Sequence, residues 1–275
     1  MFAECGEKIK MHVSTAALVM ICTAMAAGVL IPVLLFLFVR KKSGGSAKAF
    51  FVGCGVMFLF VMTLESALHG VILTSPAGAV IRGNVWLYGL YGGFMAGLFE
   101  ESGRFLAFRT VLKKERDNDG NAWTYGAGHG GFEAFSILSL NMLNTLIYAV
   151  IVNAGRYEQI LAIIPEDQKA VFAESIQTLT ATPAPMYLLS ILERCGAVIL
   201  QMALSLLVWI AVKKGGKKLF YYPLAILLHM LTDSVMVIFN ELVGNVFLTE
   251  ALVFVDAVLV MVFALRRWKE EKIST

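Results

Sequence analysis

The sequence predicts an all-α fold, a polytopic transmembrane helical bundle of about seven helices. Of the 275 residues, 58% are hydrophobic and only 16% are charged, and the mean hydropathy is +0.74. A water-soluble chain of this length would have no interior for so many apolar side chains. Apolar segments of 18 or more residues are candidate membrane spans. Seven such segments occur, at about 13–39, 47–73, 85–111, 126–152, 186–212, 219–241 and 246–266.

The basic residues predict the orientation of these spans. Four segments hold four Lys or Arg residues each, and they are 40–48, 109–116, 213–218 and 266–272. All four would lie on one side of the membrane if the chain crosses seven times. Cytoplasmic loops carry the excess of Lys and Arg, so the N-terminus is predicted outside and the C-terminus in the cytoplasm. The net charge of +3 then follows from topology and gives no reason to expect a nucleic-acid partner.

The connection 154–185 is the longest one between the predicted spans. Pro165, followed by two acidic residues, predicts the start of a helix there. Ala170, Val171, Ile176 and Leu179 could form an apolar side of that helix, lying on the outer membrane surface.

Ionisable side chains inside the spans are the main functional signal. A charge at the bilayer centre costs about 2.5–3.5 kcal/mol on insertion scales, so such residues usually face a bundle interior or water. Three clusters occur: Glu100, Glu101 and Arg104 in the third span, His129 and Glu133 in the fourth, and His229 and Asp233 in the sixth. The last two are pairs at i and i+4, which share one helix face.

The clusters have similar predicted depths. At about 1.5 Å per residue, Glu101 lies roughly 12–15 Å from the cytoplasmic end of its span, and His229 about ten residues into the sixth. His129 and Glu133 lie some 4–10 Å from the cytoplasmic end of the fourth by the same rise. The three clusters are therefore expected to meet in a cavity in the cytoplasmic half.

Two other spans carry ionisable residues in their predicted outer halves. These residues are Glu65 and His69 in the second span and Glu193 and Arg194 in the fifth. Their simplest role is mutual pairing, which lowers the cost of burying them.

Histidines and carboxylates around a wet cavity suit three kinds of chemistry. A glutamate beside a histidine can deprotonate a water that attacks an amide, while other donors stabilise the oxyanion. The same side chains can bind Zn²⁺ with an open position for water. They can also relay protons in a transporter. One histidine–acid pair often only satisfies a buried imidazole, but three clusters at one depth favour a functional site.

The segments "EESGRF", "GHGGFEA" and "HMLTDS", in this order on successive spans, resemble the glutamic-type intramembrane proteases. That group includes the CAAX-prenyl-protease and bacteriocin-processing (CPBP) family and the PrsW family, and the sequence is most similar to the YhfC family branch. The resemblance implies a single integral-membrane protease-like domain over residues 1–275. It also implies that the protein is a peptidase that spans the bacterial plasma membrane several times. Its substrate would be a membrane-associated protein or peptide within the lipid bilayer. A homodimer is left open.

The resemblance also implies roles for the third-span cluster. Glu100, the first of the paired glutamates, would be the general base that activates water. Glu101 and Arg104 would order the site, and Arg104 can reach either glutamate at i+3 or i+4.

The other two clusters complete the site that the resemblance implies. Glu133 matches the second motif, and His229 and Asp233 match the final motif, which is expected to hold the water or polarise the scissile carbonyl. His129 is an additional histidine where many relatives have phenylalanine. Either His129 or Glu133 could therefore assist the base.

No cofactor is favoured, but zinc is the main alternative. His129, Glu133 and His229 together with a glutamate could hold Zn²⁺, although the HExxH signature is absent. A non-enzymatic proton-coupled transporter is a second alternative, and it predicts ionisable groups through the full depth of the bundle.

The glycines of the third span help to predict which of its two glutamates faces the cavity and which faces a neighbouring helix. Gly89, Gly93 and Gly97 form a small-residue line that predicts a close helix contact. Glu101 continues that line, whereas Glu100 is rotated by about 100° from it. One interpretation places Glu101 in the tight interface and leaves Glu100 for the water; splayed helices would favour the opposite.

Overall fold

The structure, a computed structural model, describes residues 12–271, and within this range every regular element is helical. The helices are α1 Thr15–Ser43, α2 Ala47–Val56, α3 Ser66–Thr74, α4 Pro76–Arg82, α5 Val85–Arg109, α6 Gly120–Ala134, α7 Met142–Asn153, α8 Tyr157–Ile163, α9 Glu166–Ala181, α10 Met186–Lys214, α11 Tyr221–Val243 and α12 Val246–Glu270. Two π-helices, Met57–Glu65 and Phe135–Asn141, join α2 to α3 and α6 to α7, and 3₁₀ turns cover Lys113–Glu115 and Gly216–Phe220. The all-α prediction is confirmed.

Six helical stretches of the described residues are long and apolar enough to cross a membrane. They are Thr15–Ser43, Ala47–Thr74, Gly120–Asn153, Met186–Lys214, Gly216–Val243 and Val246–Glu270. Helix α5 coincides with the third predicted span, and its 25 residues would extend about 37 Å. Its glycines, tyrosines and charged side chains lower its hydropathy, so it is not among the six. The count of seven spans and the orientation stay predictions.

The chain divides into two compact units. One contains the chain up to Gly28 and Ser136–Ile191, and the other contains Val29–Phe135 and the chain from Leu192 onward. All residues of the predicted site lie in the second unit.

The first unit has its own apolar core, to which α9 contributes Phe172, Ile176 and Leu179. Helix α9 starts at Glu166, directly after Pro165, as the sequence predicts. Its buried side differs from the predicted one, because Val171 is 65% exposed and Phe172 packs instead. Residues at i, i+4 and i+7 share a helix face, and in this helix 172, 176 and 179 form it.

The ends of the helices that carry the predicted site are fixed by local caps. The Asn84 side chain accepts hydrogen bonds from the backbone N–H groups of Trp86 and Leu87 at the start of α5. Gly244 ends α11 in the left-handed conformation, with φ of +63°, which favours glycine. The Asn245 side chain accepts from Leu248 N at the start of α12.

Helices α5 and α11 pack at backbone distance along the glycine line. A Cβ added to Gly93 would lie 2.4 Å from the carbonyl oxygen of Met230, and one added to Gly97 would lie 2.7 Å from that of Ile226. The close helix contact predicted from Gly89, Gly93 and Gly97 is therefore present.

Replacing Gly93 by alanine is expected to destabilise the protein by about 1–3 kcal/mol, because overpacking forces a backbone shift. The measurement is thermal unfolding of the purified protein in detergent. Gly70→Ala is the matched control, since a Cβ at Gly70 would meet nothing within 4 Å. Equal melting temperatures for the two variants would contradict this packing.

Glycines also let α6 approach the backbones of α2 and α10. A Cβ on Gly128 would lie 2.0 Å from the carbonyl oxygen of Phe50 in α2, and one on Gly126 would lie 2.8 Å from the Cα of Met202 in α10. The polar, glycine-rich start of the fourth predicted span thus forms a helix enclosed by two neighbours. This packing carries His129 into the interior, where its side chain is fully buried.

Candidate functional site

Helix α5 brings three ionisable side chains into the interior of the second unit. Glu100 is 5% exposed, and Glu101 and Arg104 are fully buried. Glu100 lies nine residues before the end of α5 at Arg109, or about 14 Å along the helix. Buried charges of this kind need partners.

Glu101 is held on both carboxylate oxygens. Its Oε2 forms an ion pair with Arg104 Nη1, and its Oε1 accepts a hydrogen bond from His229 Nδ1 at 2.9 Å. Because an ionised carboxylate only accepts, Nδ1 of His229 carries a proton. Glu101 therefore lies in the α5–α11 interface, as the glycine line suggested, and it orients His229 so that Nε2 faces away from it.

Glu100 makes a different set of contacts. Its Oε2 lies 2.9 Å from His129 Nε2 and accepts a hydrogen bond from Gln201 Nε2 at 2.7 Å. The Nε2 of His229 lies 4.0 Å from the same oxygen. Both hydrogen bonds that described residues make to Glu100 end on Oε2, so Oε1 is available for water.

Gln201 of α10 is a connector that the sequence prediction missed. Its Oε1 accepts from Arg104 Nη2, while its Nε2 donates to Glu100 Oε2 and, at 3.0 Å, to Glu133 Oε2. The signal was weak but present, because Gln201 lies seven residues, two helical turns, after Arg194 on the same face of α10.

Arg194 joins the site instead of forming a separate outer pair. It forms ion pairs with Glu193 and with Glu133 Oε1, the latter at 2.5 Å. Helix α6 begins at Gly120, six residues before the predicted span, so Glu133 lies about 20 Å along the helix and not 4–10 Å. The extra depth lets Glu133 meet Arg194.

Three other ionisable groups within the predicted spans, Glu65, His69 and Asp256, have local partners. The His69 ring bridges Glu65 Oε1 at 3.1 Å and the Tyr91 hydroxyl at 2.8 Å, so Glu65 and His69 pair as expected. Asp256 accepts a hydrogen bond from the Thr232 hydroxyl at 2.5 Å. None of Glu65, His69 and Asp256 lines the cavity described next.

A cavity of about 250 Å³, the central cavity, is bounded by α5, α6, α10, α11 and α12. Its polar lining residues are Glu100, Glu133, Glu193, Arg194, Gln201, His229, Thr232 and Asp233. Asp233 is the most accessible of the predicted site residues, with its side chain 37% exposed and Oδ2 3.6 Å from His229 Nε2. Since one water takes about 30 Å³ in the liquid, the central cavity has room for several.

The structure thus gathers all seven predicted site residues around one cavity or directly behind it. Glu100, Glu133, His229 and Asp233 line it. His129, Glu101 and Arg104 hold the lining residues through hydrogen bonds and ion pairs.

Whether the side chains around the central cavity could bind zinc depends on their chemistry and on their positions. His229 has the arrangement common for metal-binding histidines, with Nδ1 held by a carboxylate and Nε2 directed at other donors. Glu100, His229 and Asp233 therefore offer a donor set that suits zinc. In residues 12–271, however, no three His, Cys, Asp or Glu side chains are positioned to hold a metal ion together.

The predicted zinc set of His129, Glu133 and His229 is not gathered at one point. The Nε2 of His129 is engaged by Glu100, and its buried Nδ1 has no hydrogen-bond partner. Were Nε2 to bind a metal, the proton would move to Nδ1 and stay unsatisfied, which costs about 1–3 kcal/mol. Glu133 is held by Arg194 and Gln201.

Comparison with known proteins identifies the family of this chain. The sequence model of the YhfC intramembrane metalloprotease family matches residues 27–253, which include every residue of the site. This chain belongs to the YhfC family. It is 35% identical over 232 residues to the Bacillus subtilis (strain 168) protein described as "Uncharacterized membrane protein YhfC", covering 83% of this chain and 87% of that protein. No solved structure matches.

Membership of the YhfC family confirms the resemblance noted in the sequence and makes the chain an intramembrane peptidase. The family description is that of a metalloprotease, and it does not favour a metal-free glutamate mechanism over a metal-dependent one. A membrane-embedded peptidase of this kind acts on membrane substrates within the lipid bilayer.

Proposed function

We propose that the central cavity hydrolyses a peptide bond of a membrane-associated protein or peptide, with Glu100 as the general base. The observation that carries this proposal is the contrast between the two glutamates. Both oxygens of Glu101 are bound by Arg104 and His229, whereas Glu100 lines the cavity with Oε1 available. A base must reach the proton that it removes, and of these two glutamates Glu100 is the one that lines the cavity.

In the proposed reaction, Glu100 Oε1 takes a proton from a water whose oxygen attacks the scissile carbonyl carbon. His129 and Gln201, bonded to Oε2, keep the carboxylate in place while it does so. The same proton then passes to the leaving nitrogen as the carbon–nitrogen bond breaks, which restores the Glu100 carboxylate. The products are a new carboxyl end and a new amino end.

His229 and Asp233 are proposed to bind the substrate carbonyl or the attacking water. His229 is fixed through Nδ1 by Glu101, and its Nε2 faces Glu100 and Asp233 across the cavity. When the imidazole is protonated on both nitrogens, Nε2 is a preorganised donor for the carbonyl oxygen, which is usually a large contribution to catalysis; with Nε2 unprotonated, it can accept from the water. His129 is proposed as a positioning residue, because it is bonded to Glu100 and fully buried.

A zinc-dependent peptidase in the same cavity is the second candidate. It is favoured by the description of the family and by the orientation of His229. Glu100, His229 and Asp233 would have to move closer together to hold the ion, because the described residues do not place three such donors around one point. The ion would supply an acidic bound water and polarise the carbonyl.

Metal removal separates the two candidates. The protein is purified in detergent, its zinc is measured by elemental analysis, and its cleavage of a panel of transmembrane peptides is followed with and without a chelator. Under the glutamate mechanism, cleavage survives chelation, zinc is well below one ion per chain, and His229→Ala lowers the rate. Loss of cleavage on chelation and recovery with added zinc would replace the first candidate by the second. Unchanged cleavage by His229→Ala would contradict both.

A further inference from the structure

A second cavity, the end cavity, lies where α5 begins, α11 ends and α12 begins. It has a volume of about 600 Å³, and its lining includes Val85, Tyr88, Asn240 and Val246. It is larger than the central cavity and has several charged groups at its surface.

The end cavity adjoins the central cavity. Glu193, Met236 and Val237 line both of them. On α12 the lining runs from Val246 in the end cavity to Ala257 in the central cavity, a distance of about 16 Å along the helix. The two cavities therefore share a wall of three side chains and follow one another from an end of the helices to Glu100.

The opposite side of the central cavity is closed by aromatic packing. Phe108, Tyr125 and Trp209 are all fully buried, and the Phe108 ring lies 4.6 Å from the Tyr125 ring and 4.9 Å from the Trp209 ring, centroid to centroid. Arg104 lies directly against this layer, with Cζ 6.0 Å from the Tyr125 centroid. Close-packed side chains of this kind leave no passage for a peptide.

Two other cavities among the described residues offer no comparable path. A cavity of about 360 Å³ near Arg109 and Lys113 shares no lining residue with the central cavity. A pocket of about 90 Å³ between α11 and α12 shares Thr232 and Val253 with it. That volume equals about three waters, so it is too small for a peptide segment.

The charge pattern assigns a side of the membrane to each end. Basic residues collect in the last turns of α1, α5, α10 and α12, at the closed end: Arg40, Lys41, Lys42, Arg109, Lys213, Lys214, Arg267 and Lys269. The neighbouring connections lie at the same end, since Lys213 of α10 pairs with Asp119 before α6 at 2.5 Å, and Lys48 of α2 pairs with Glu115 after α5 at 2.6 Å. An excess of Lys and Arg marks the cytoplasmic side.

We infer that peptide substrates reach Glu100 from the extracytoplasmic side, through the end cavity. The catalytic part of this inference rests on the function proposed above. Glu100 lies in the half of α5 nearer its basic end, as the sequence predicted, but the path to it comes from the other face. The substrate class is therefore a membrane protein or peptide whose cleaved segment is presented from outside the cytoplasm.

Cysteine labelling tests the path without requiring catalysis. Val237→Cys and Lys214→Cys are made in a chain whose four native cysteines are replaced by alanine. Right-side-out and inside-out membrane vesicles are treated with a charged, membrane-impermeant maleimide. Val237→Cys is expected to label only in right-side-out vesicles, and the exposed control Lys214→Cys only in inside-out vesicles. Asn240→Cys, nearer the mouth of the end cavity, replaces Val237→Cys if the latter does not fold.

Labelling of Val237→Cys only from the cytoplasmic side, or from neither side, would overturn the inference. Labelling of both variants from the same side would also overturn it. As a second readout, attachment of a bulky maleimide at Val237→Cys should abolish peptide cleavage, while attachment at Lys214→Cys should not change it. The expected labelling pattern without cleavage by any unlabelled protein would count against the proposed function and leave the path supported.

Discussion

Replacing Glu100 by glutamine is expected to reduce the rate of peptide cleavage by about 10²–10⁴-fold, the usual contribution of a general base. Glutamine keeps the size of the side chain, and its carbonyl oxygen can still accept from His129 or Gln201. It cannot take a proton from water. The measurement is the initial rate of cleavage of a transmembrane peptide by the purified protein in detergent.

Glu166→Gln is the matched control for this substitution. Glu166 begins α9 in the other compact unit, and its side chain is 88% exposed. Its replacement should leave the rate unchanged. A Glu100→Gln rate within a few-fold of the wild type, with an unchanged melting temperature, would remove Glu100 from the role of base.

Replacing Arg104 by methionine is expected to lower the free energy of unfolding by about 3–5 kcal/mol, since it leaves a buried carboxylate without its cation. Arg104 is fully buried, and its ion pair with Glu101 is fully buried as well. The substitution also removes the donor that Gln201 Oε1 accepts from. The measurement is denaturant unfolding in detergent micelles.

The double variant Glu101→Gln, Arg104→Met isolates the electrostatic part of this effect. It removes the unpaired charge as well as its partner, so it should be more stable than Arg104→Met alone. The opposite outcome is a double variant that is less stable than Arg104→Met, by as much as Glu101→Gln alone destabilises the wild type. That result would show that the ion pair itself contributes little.

Much of the site could be predicted from the sequence because its charged residues lie in membrane spans. A charge in a span is costly, so Glu100, Glu101, Arg104 and the two histidines stood out from an apolar background. The glycine line favoured one of two interpretations, with Glu101 in the helix interface, because side chains at i and i+4 share a face.

Other parts of the site could not be read in this way. Gln201 is uncharged and occurs in an apolar helix, so its only signal in the sequence was its spacing from Arg194. The depth of Glu133 was misjudged because the polar segment before residue 126 is helical, which hydropathy alone does not detect. The direction of the path to Glu100 depends on how Phe108, Tyr125 and Trp209 pack together, and linear spacing does not contain that information.

The amide of Gln201 sets a dimension of the central cavity. Gln201 Nε2 donates to both Glu100 Oε2 and Glu133 Oε2, so a single NH₂ group sets the distance between these two carboxylate oxygens. Among the described residues Asp233 has no such brace, since its side chain is partly exposed and its Oδ2 lies 3.6 Å from His229 Nε2, beyond hydrogen-bond distance. In the proposed reaction, Gln201 would keep the base in register with the water, while the Asp233 side chain would be able to adjust to peptides of different side chains.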